Sequence, residues 1–296
     1  MRIGIDLGGT KIEGIALDDR GAVLHRTRKP APRGDYDASV RAVVDLVHEL
    51  ERVTGTPGSV GVGIPGTMSA ATGFVKNANS TWLNGRPFGA DIEACLERPV
   101  RFANDANCFA LSEATDGAGA GAHCVFGVII GTGTGGGIVI GGQVLTGVNA
   151  VAGEWGHNPL PWMREDEWPG RDCYCGRTGC IETFLSGPAL SAAFAAVTGS
   201  SLDAATVAQR AVDGDEAARR CLDQYEDRLA RALATIINVL DPDVIVLGGG
   251  LSNIEQLYES VRRRWGAYVF SDRVATQLRR AQHGDASGVR GAAWLW

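Results

Sequence analysis

The sequence lacks any apolar run long enough to cross a membrane. Its longest apolar stretches, such as VFGVII at 125–130, fall far short of the roughly 20 residues that a transmembrane helix needs. The first residues, MRIGIDLGG, place the carboxylate of Asp6 where a secretory leader would be apolar. We therefore expect a soluble, cytoplasmic protein that has no membrane partner.

Positive charge is also scarce. The chain has 28 Lys and Arg against 34 Asp and Glu, a net charge of −6, whereas a protein that binds nucleic acid normally presents a basic face. We expect a small-molecule ligand and no nucleic-acid partner. The seven cysteines are an odd number in an apparently intracellular chain, which argues against a disulfide framework. Metal binding or burial must account for them.

Two common nucleotide-binding signatures are missing. No Gly-Lys pair occurs anywhere in the chain, and this excludes a standard P-loop. The segment GTGTGG at 131–136 matches the G-x-G-x-x-G spacing of dinucleotide-binding proteins, but a strand-like segment, GIVIGG, follows where that motif requires a helix. A nicotinamide-dependent enzyme is therefore disfavoured.

The chain contains an internal repeat of its pattern. Residues 2–26 read as a strand, a glycine turn, a second strand, a D-R-G turn and a third strand, and residues 125–147 repeat that order. Apolar residues at helical spacing in 36–53 and 228–240 each precede a buried strand. We predict a mixed α/β protein whose two lobes, 1–118 and 119–296, pack around a cleft, with the last helix returning to the N-terminal lobe.

Three glycine turns are candidate ligand sites. In the first glycine turn, DLGGT at 6–10, a carboxylate ends a strand and bare backbone N–H groups suit a phosphate; the second glycine turn is 131–136. Tight hairpins whose glycines only supply positive φ are the structural alternative. The third, GGG at 248–250, is predicted to open a helix through a capping box between Ser252 and Glu255, with its N-terminus facing a nucleotide.

The cysteines are concentrated in one place. Cys173, Cys175 and Cys180 fall within eight residues of CYCGRTGC, and His157 is the only nearby imidazole. Three thiolates and one imidazole form a closed tetrahedral zinc set, which leaves no position for a catalytic water and is therefore structural. Buried or free cysteines beside a surface histidine are the alternative.

Polar residues at a strand end and in one loop complete the candidates. Asn104 and Asp105 follow a short strand and begin a helix, so Asp105 is either a residue that reaches a ligand or a helix cap. The segment KNANSTWLNG at 76–85, the asparagine loop, has amides that suit sugar hydroxyls, although a plain polar loop fits equally.

Together, DLGGTK, GTGTGGG, GEWGH and CYCGRTGCIE resemble the ROK family of bacterial sugar kinases and sugar-responsive repressors. This resemblance runs from Ile3 to about Trp294 and implies a duplicated actin-like (ribonuclease H-like) ATPase fold. The asparagine loop, GEWGHNPLPW and HGDASGVRGAAWLW look most like bacterial fructokinases. Repressors of the family carry an N-terminal DNA-binding domain, and the first strand here begins at residue 2, so we expect an enzyme.

The resemblance also implies roles for individual residues. Asp105 would be the general base that takes the proton of the sugar hydroxyl, and Asp6 would help to place Mg²⁺ through water. The residues implied to bind sugar are Asn79, Asn104, Asp105, Glu154, His157 and Glu182. Those implied to bind ATP are Gly4, Asp6, Gly8, Gly9, Thr10, Lys11, Gly131, Thr132, Gly133, Gly135, Gly136, Gly137 and Gly249.

The zinc site and the sugar site both include His157 as a candidate. We assign it to zinc, with its other nitrogen orienting the site. Trp82, Trp155 or Trp162 would supply an apolar wall for the sugar. The expected activity is ATP-dependent phosphorylation of D-fructose, and of mannose, at the 6-hydroxyl. N-acetylglucosamine and glucose are the alternative substrates within the family, and a homodimer is compatible with this interpretation.

Two other classes of protein share some of these features. A sugar-binding regulator without catalysis is one alternative, although retention of Asp105 and of both glycine turns argues against it. An actin-like chaperone or cytoskeletal ATPase would share the turns but has no reason to carry the cysteine cluster.

Overall fold

A computed structural model describes all residues from 1 to 296. The strands are β1 Arg2–Leu7, β2 Lys11–Leu17, β3 Val23–Pro30, β4 Ser59–Ile64, β5 Thr67–Met68, β6 Val75–Lys76, β7 Val100–Asn104, β8 Cys124–Ile130, β9 Thr134–Ile140, β10 Gln143–Val144, β11 Val244–Gly248 and β12 Gln277–Arg280. The α-helices are α1 Tyr36–Thr54, α2 Phe88–Leu96, α3 Asp105–Thr115, α4 Glu182–Leu185, α5 Gly187–Thr198, α6 Ala204–Val212, α7 Glu216–Leu240, α8 Gln256–Trp265 and α9 Ser287–Ala293. No helix is both long and apolar enough to cross a membrane.

The first sheet has the strand order β3-β2-β1-β4-β7. Strands β1, β2 and β3 form an antiparallel meander, whereas β4 runs parallel to β1 and β7 runs parallel to β4. Parallel neighbours need a crossover connection, and α1 provides it between β3 and β4. This helix is capped by Asp35, whose carboxylate accepts from Ala38 N, and it buries Val43 and Val47 against the sheet.

The second sheet repeats this arrangement with the order β10-β9-β8-β11-β12. Its strands β8, β11 and β12 are parallel, and β9 pairs antiparallel with β10. The predicted repeat of strand, glycine turn and strand is therefore confirmed, as is the mixed α/β class. The chain has the duplicated fold of the actin-like ATPases.

Two compact units can be distinguished. The first comprises residues 1–121, 137–152 and 282–296, and the second comprises residues 122–136 and 153–281. Helix α9 thus belongs to the first unit. Residues 137–152, which the sequence pattern places in the C-terminal lobe, also belong to the first unit. Within it, Gly137 is packed so closely on α3 that a Cβ there would lie 2.5 Å from Ala106 O.

Helix α9 lies directly on the first sheet. A Cβ on Gly4 would lie 2.1 Å from Val289 O, and one on Gly61 would lie 1.9 Å from Ala292 O. These two glycines therefore permit contact between strand and helix backbones. Gly4 was assigned to ATP by resemblance, and its immediate neighbour in the structure is α9.

The predicted capping box at α8 is wrong. Residues Gly250–Asn253 form a 3₁₀ turn, α8 begins at Gln256, and no side chain caps it. The Ser252 hydroxyl donates to Gly249 O at 2.7 Å, because the 3₁₀ turn brings that carbonyl closer than the N–H groups of α8. The predicted apolar face is present, since Leu257 and Val261 are fully buried.

Candidate functional site

The first glycine turn follows β1 and carries a perturbed carboxylate. Gly8 N donates to Lys11 O at 2.9 Å, so the turn is a tight hairpin between β1 and β2. Burial, together with the negative charges of Asp105 and Glu13, raises the pKa of Asp6 to about 7. Asp6 and Asp105 are therefore near enough for their charges to interact.

Asp105 begins α3, directly after the end of β7. The preceding residue, Asn104, is the helix cap, because its Oδ1 accepts from Ala106 N at 2.8 Å and its Nδ2 donates to Gly66 O at 3.1 Å. Asp105 Oδ1 also accepts from Ala106 N at 2.8 Å, and the residue is exposed. The capping role therefore belongs mainly to Asn104, and the Asp105 carboxylate lies at the surface of the first unit.

The asparagine loop uses its asparagines in different ways. Asn84 is structural, since its Oδ1 accepts from Ala78 N and its Nδ2 donates to Ala78 O, both at 2.9 Å. Asn77 has φ of 58°, a left-handed conformation that asparagine tolerates. Asn79 is exposed, and its amide is not committed to holding the loop in this way. Of the three, Asn79 has the side chain best placed for a ligand.

The cysteine–histidine cluster, His157, Cys173, Cys175 and Cys180, is brought together by the fold. The ligand atoms of all four residues lie within 4.8 Å of one another. The sulfurs of Cys175 and Cys180 are 3.6 Å apart, and Cys173 Sγ is 3.5 Å from His157 Nδ1. Tetrahedral zinc with bonds of about 2.3 Å to sulfur requires sulfur–sulfur separations of about 3.8 Å, so this donor set fits zinc in number, type and spacing.

The cluster does not form a disulfide, since all seven cysteines are free. The orientation of His157 is defined: Nδ1 faces the thiols, whereas Nε2 lies 3.0 Å from the hydroxyl of Tyr174. The rings of His157 and Tyr174 also meet edge to face with centroids 5.1 Å apart. Sequence reasoning missed Tyr174, although its place between two cysteine ligands was visible.

The two glutamates predicted beside the cluster differ in their environment. Glu154 is exposed and precedes the 3₁₀ turn that contains His157. Glu182, two residues after Cys180, has an oxygen that accepts from Thr134 N at 2.8 Å. Glu182 is therefore bound to the second glycine turn.

The second glycine turn is held by several further contacts. Trp155 Nε1 donates to Gly135 O at 2.9 Å, and Gly187 N donates to Gly131 O at 2.7 Å. The hydroxyl of Thr134 is buried and has no hydrogen-bond partner within the protein. Strand β9 begins at Thr134, within the turn, where a dinucleotide-binding motif would have a helix. The structure therefore agrees with the exclusion of that motif.

A cavity of about 850 Å³ opens beside this turn within the second unit. Gly131 and Thr132 line one part of it, and α5, α6 and the 3₁₀ turn at 250–253 supply an apolar lining that includes Pro188, Ala208, Val212, Leu251 and Ile254. Its volume and lining suit a drug-sized ligand with a flat apolar part. Of this lining, only the residues of the glycine turns could be predicted from the sequence. Gly249, which the resemblance assigned to ATP, packs against the chain at Ile130, because a Cβ on Gly249 would lie 2.5 Å from Ile130 O.

The three tryptophans considered for a sugar wall have different surroundings. Trp155 is 3 % exposed and packs edge to face on Phe126, behind the turn. Trp82 donates from Nε1 to Ser39 Oγ at 3.1 Å. Trp162 is half exposed and stacks on Tyr268.

Comparison with known proteins gives consistent results. A sequence profile described as the ROK family matches residues 2–296. An N-acetyl-D-glucosamine kinase of Pectobacterium atrosepticum is 40% identical over 299 residues, which cover 100% of this chain and 98% of that protein. An N-acetyl-D-glucosamine kinase of Escherichia coli is 41% identical over 299 residues, with 100% and 99% covered.

A solved structure is similar over nearly the whole chain. The ROK hexokinase of Thermus thermophilus superimposes with a TM-score of 0.88 at 31% identity, over 99% of this chain and 97% of that one. Profile, relatives and structure all span the whole chain, including both glycine turns and the cysteine–histidine cluster. The chain belongs to the ROK family.

Proposed function

We propose that the protein is an ATP-dependent N-acetylglucosamine kinase that phosphorylates the 6-hydroxyl of its sugar. The observation that carries this proposal is the identity of 40–41%, over the full length, with proteins named N-acetyl-D-glucosamine kinases. The candidate sites are compatible with it, because an exposed carboxylate at Asp105, two glycine turns and a cavity beside the second turn are present.

The choice of sugar differs from the expectation in the sequence analysis. D-fructose was expected there from loop resemblance, and N-acetylglucosamine was the alternative. The relatives over the full chain support the alternative better than the fructokinase. Short polar loops are weak guides to a substrate, because the same asparagine can either read a hydroxyl or close a loop, as Asn84 does.

For the phosphoryl donor we propose the second glycine turn and the adjacent cavity. The apolar lining that includes Pro188 and Ile254 suits a nucleotide base, and Gly131 and Thr132 of the turn line the same cavity, where we propose that the phosphates bind. Asp6, Gly8, Gly9, Thr10 and Lys11 of the first turn are proposed for the phosphates and for Mg²⁺, whose charge neutralises the phosphate oxygens.

For the acceptor we propose Asp105 as the general base. Its carboxylate removes the proton of the sugar 6-hydroxyl as that oxygen bonds to the γ-phosphorus, while the bond from phosphorus to the bridging oxygen breaks and ADP leaves. An exposed carboxylate at the start of a helix can be reached by substrate. The polar residues proposed to bind the sugar are Asn79, Asn104, Glu154, His157 and Glu182.

For the cysteine–histidine cluster we propose structural zinc. Its four ligands leave no open position for a substrate or a water, so the ion would stabilise the surrounding loops. His157 would bind zinc through Nδ1, since that nitrogen faces the thiols. A sugar can then reach only Nε2, which contacts Tyr174.

A panel of sugars tests the proposal. We expect kcat/KM with ATP to be highest for N-acetylglucosamine, at least tenfold above fructose, mannose, glucose and N-acetylmannosamine. A preference for fructose would restore the fructokinase assignment and leave the kinase assignment intact. Binding of sugar without phosphorylation or ATP hydrolysis would instead identify a regulator.

A further inference from the structure

The second glycine turn is bound by two chain segments that meet at the cysteine–histidine cluster. The first segment, residues 153–158, ends beside His157, and the second, residues 180–187, begins at Cys180. All three parts belong to the second unit. Their contacts connect the cluster to residues 131–136 within one unit of the protein.

The first segment contacts the turn through a side chain and through its backbone. Trp155, which is almost fully buried, donates from Nε1 to Gly135 O at 2.9 Å. Gly156 lies so close that a Cβ there would be 2.0 Å from Thr134 O. Since a buried indole N–H needs an acceptor, displacing this segment would leave both Trp155 and Gly135 unpaired.

The second segment contacts the turn at two points. Glu182 accepts the backbone N–H of Thr134 at 2.8 Å, and Gly187 N donates to Gly131 O at 2.7 Å. A hydrogen bond from a backbone N–H to a charged carboxylate is stronger than one between neutral groups. Residues 180–187 thereby hold the turn at Gly131 and at Thr134.

The cluster joins these two segments to each other. Ile181 N donates to Asn158 O at 2.8 Å, and Leu160 N donates to Gly179 O at 2.9 Å. The loop from 170 to 179, which carries Cys173 and Cys175, is largely exposed. One ion bound by His157 of the first segment, by Cys180 of the second, and by Cys173 and Cys175 of the loop between them would hold these parts together, because metal binding to such a site is coupled to its folding.

We propose that the metal in the cysteine–histidine cluster holds the second glycine turn in its nucleotide-binding conformation, with Trp155 and Glu182 as the positioning residues. The proposal rests on the proposed function, which places ATP phosphates at this turn. The metal then contributes to donor affinity as well as to the sugar site. Pre-formed N–H groups cost no reorganisation when the phosphates bind, which is why a rigid turn binds more tightly.

The test is a linkage experiment without sugar. Binding of the non-hydrolysable analogue AMP-PNP with Mg²⁺ is measured by calorimetry for the zinc-loaded protein and for protein stripped by a chelator. We expect metal removal to weaken binding by roughly 5- to 150-fold, the range of ordinary coupling. By reciprocity, AMP-PNP should tighten zinc binding by the same factor. Hydrogen exchange of amides 131–136 should accelerate on metal removal.

Variants that keep the metal show which contacts connect the cluster to the second glycine turn. E182A removes the acceptor for Thr134 N–H, so AMP-PNP binding should weaken, and removing zinc should then have less additional effect. E182Q keeps an acceptor oxygen and should restore most of the affinity. W155F removes the indole N–H and should weaken AMP-PNP binding, whereas W168F, an exposed tryptophan of the same region, is the matched control.

The outcomes separate this proposal from the proposed function. If zinc-loaded protein binds AMP-PNP and neither metal removal nor E182A changes that affinity, the coupling is absent and the kinase assignment stands. If the zinc-loaded wild type fails to bind AMP-PNP at all, the proposed nucleotide site itself is wrong. Should metal removal unfold the second unit, E182A and W155F with zinc retained decide the matter, and unchanged affinity in both overturns the coupling.

Discussion

The hydroxyl of Tyr174 lies 3.0 Å from Nε2 of His157, while Nδ1 of the same imidazole faces Cys173 Sγ at 3.5 Å. A histidine that binds metal through one nitrogen carries a proton on the other, so with zinc on Nδ1 the Nε2–H of His157 would donate to the Tyr174 oxygen. Such a partner fixes both tautomer and ring orientation. Tyr174 is 82 % exposed, and its side chain is available to substitution without loss of core packing.

Tyr174→Phe should therefore weaken zinc binding by about 10-fold, toward the lower end of what loss of a partner to a metal ligand costs. Competition with a chromogenic chelator measures the effect. Tyr268→Phe is the matched control, because it removes a tyrosine hydroxyl bonded to Asp227 in the same unit. Equal zinc affinity in Tyr174→Phe and the wild type would show that the contact has no orienting role.

The metal itself gives a direct prediction. Purified protein should contain about one zinc per chain, because the four ligands form one closed set. Elemental analysis should find that Cys175→Ser lowers the zinc content, and thermal unfolding of that variant should begin at a lower temperature. Full zinc content in a variant that lacks Cys173, Cys175 and Cys180 would contradict the assignment.

Asp105→Asn tests the proposed base. The amide preserves the shape and the hydrogen bond to Ala106 N but cannot take a proton, so kcat should fall by about 10²-fold or more. Sugar affinity, measured by calorimetry, should change little. Near-normal turnover would mean that another group is the base. Asn104→Ala, which removes the α3 cap, should instead lower stability, typically by ~1 kcal/mol.

Asp6 predicts a pH dependence of stability. Its pKa of about 7 in the folded state lies above its ordinary value of 3.8. The folded protein therefore keeps a proton that the unfolded chain releases, and this group makes stability fall as pH rises from about 4 to about 7. Asp6→Asn removes the cost, so it should stabilise the Mg²⁺-free protein at pH 8, by up to about 4 kcal/mol, and much less at pH 4.5.

Urea unfolding at the two pH values measures this difference. Asp45→Asn, on the exposed side of α1, is the control and should show no comparable pH-dependent gain. A gain from Asp6→Asn that is the same at pH 4.5 and pH 8 would mean that Asp6 ionises normally in the folded protein.

Some features of this protein could be predicted from local sequence alone. The glycine turns, the strands around them and helix α1 follow from neighbouring residues, because hydrophobic period and turn chemistry act over a few positions. The cysteine ligands were also predictable, since three of them fall within eight residues. The duplication was visible because both sheets begin with the same local pattern.

Other features depend on residues that are distant in the chain. Glu182 accepts from Thr134 N across 48 positions, and this contact reassigns part of its role from the sugar to the glycine turn. Trp155, one of three tryptophans considered for the sugar wall, is buried against Phe126. Periodicity does not reveal which carbonyl a buried indole will reach, because that depends on how two separate segments pack.

The sequence by itself determined the elements, the repeat and the chemical types of the ligands, because these are encoded in residue identity and short spacing. Only the tertiary structure decided which nitrogen of His157 faces the thiols, which asparagine closes its own loop and which helices line the cavity. The physical reason is that a hydrogen bond or an apolar contact is specified by position in space. Chain folding brings residues such as Gly131 and Gly187 into contact, and no local pattern records that distance.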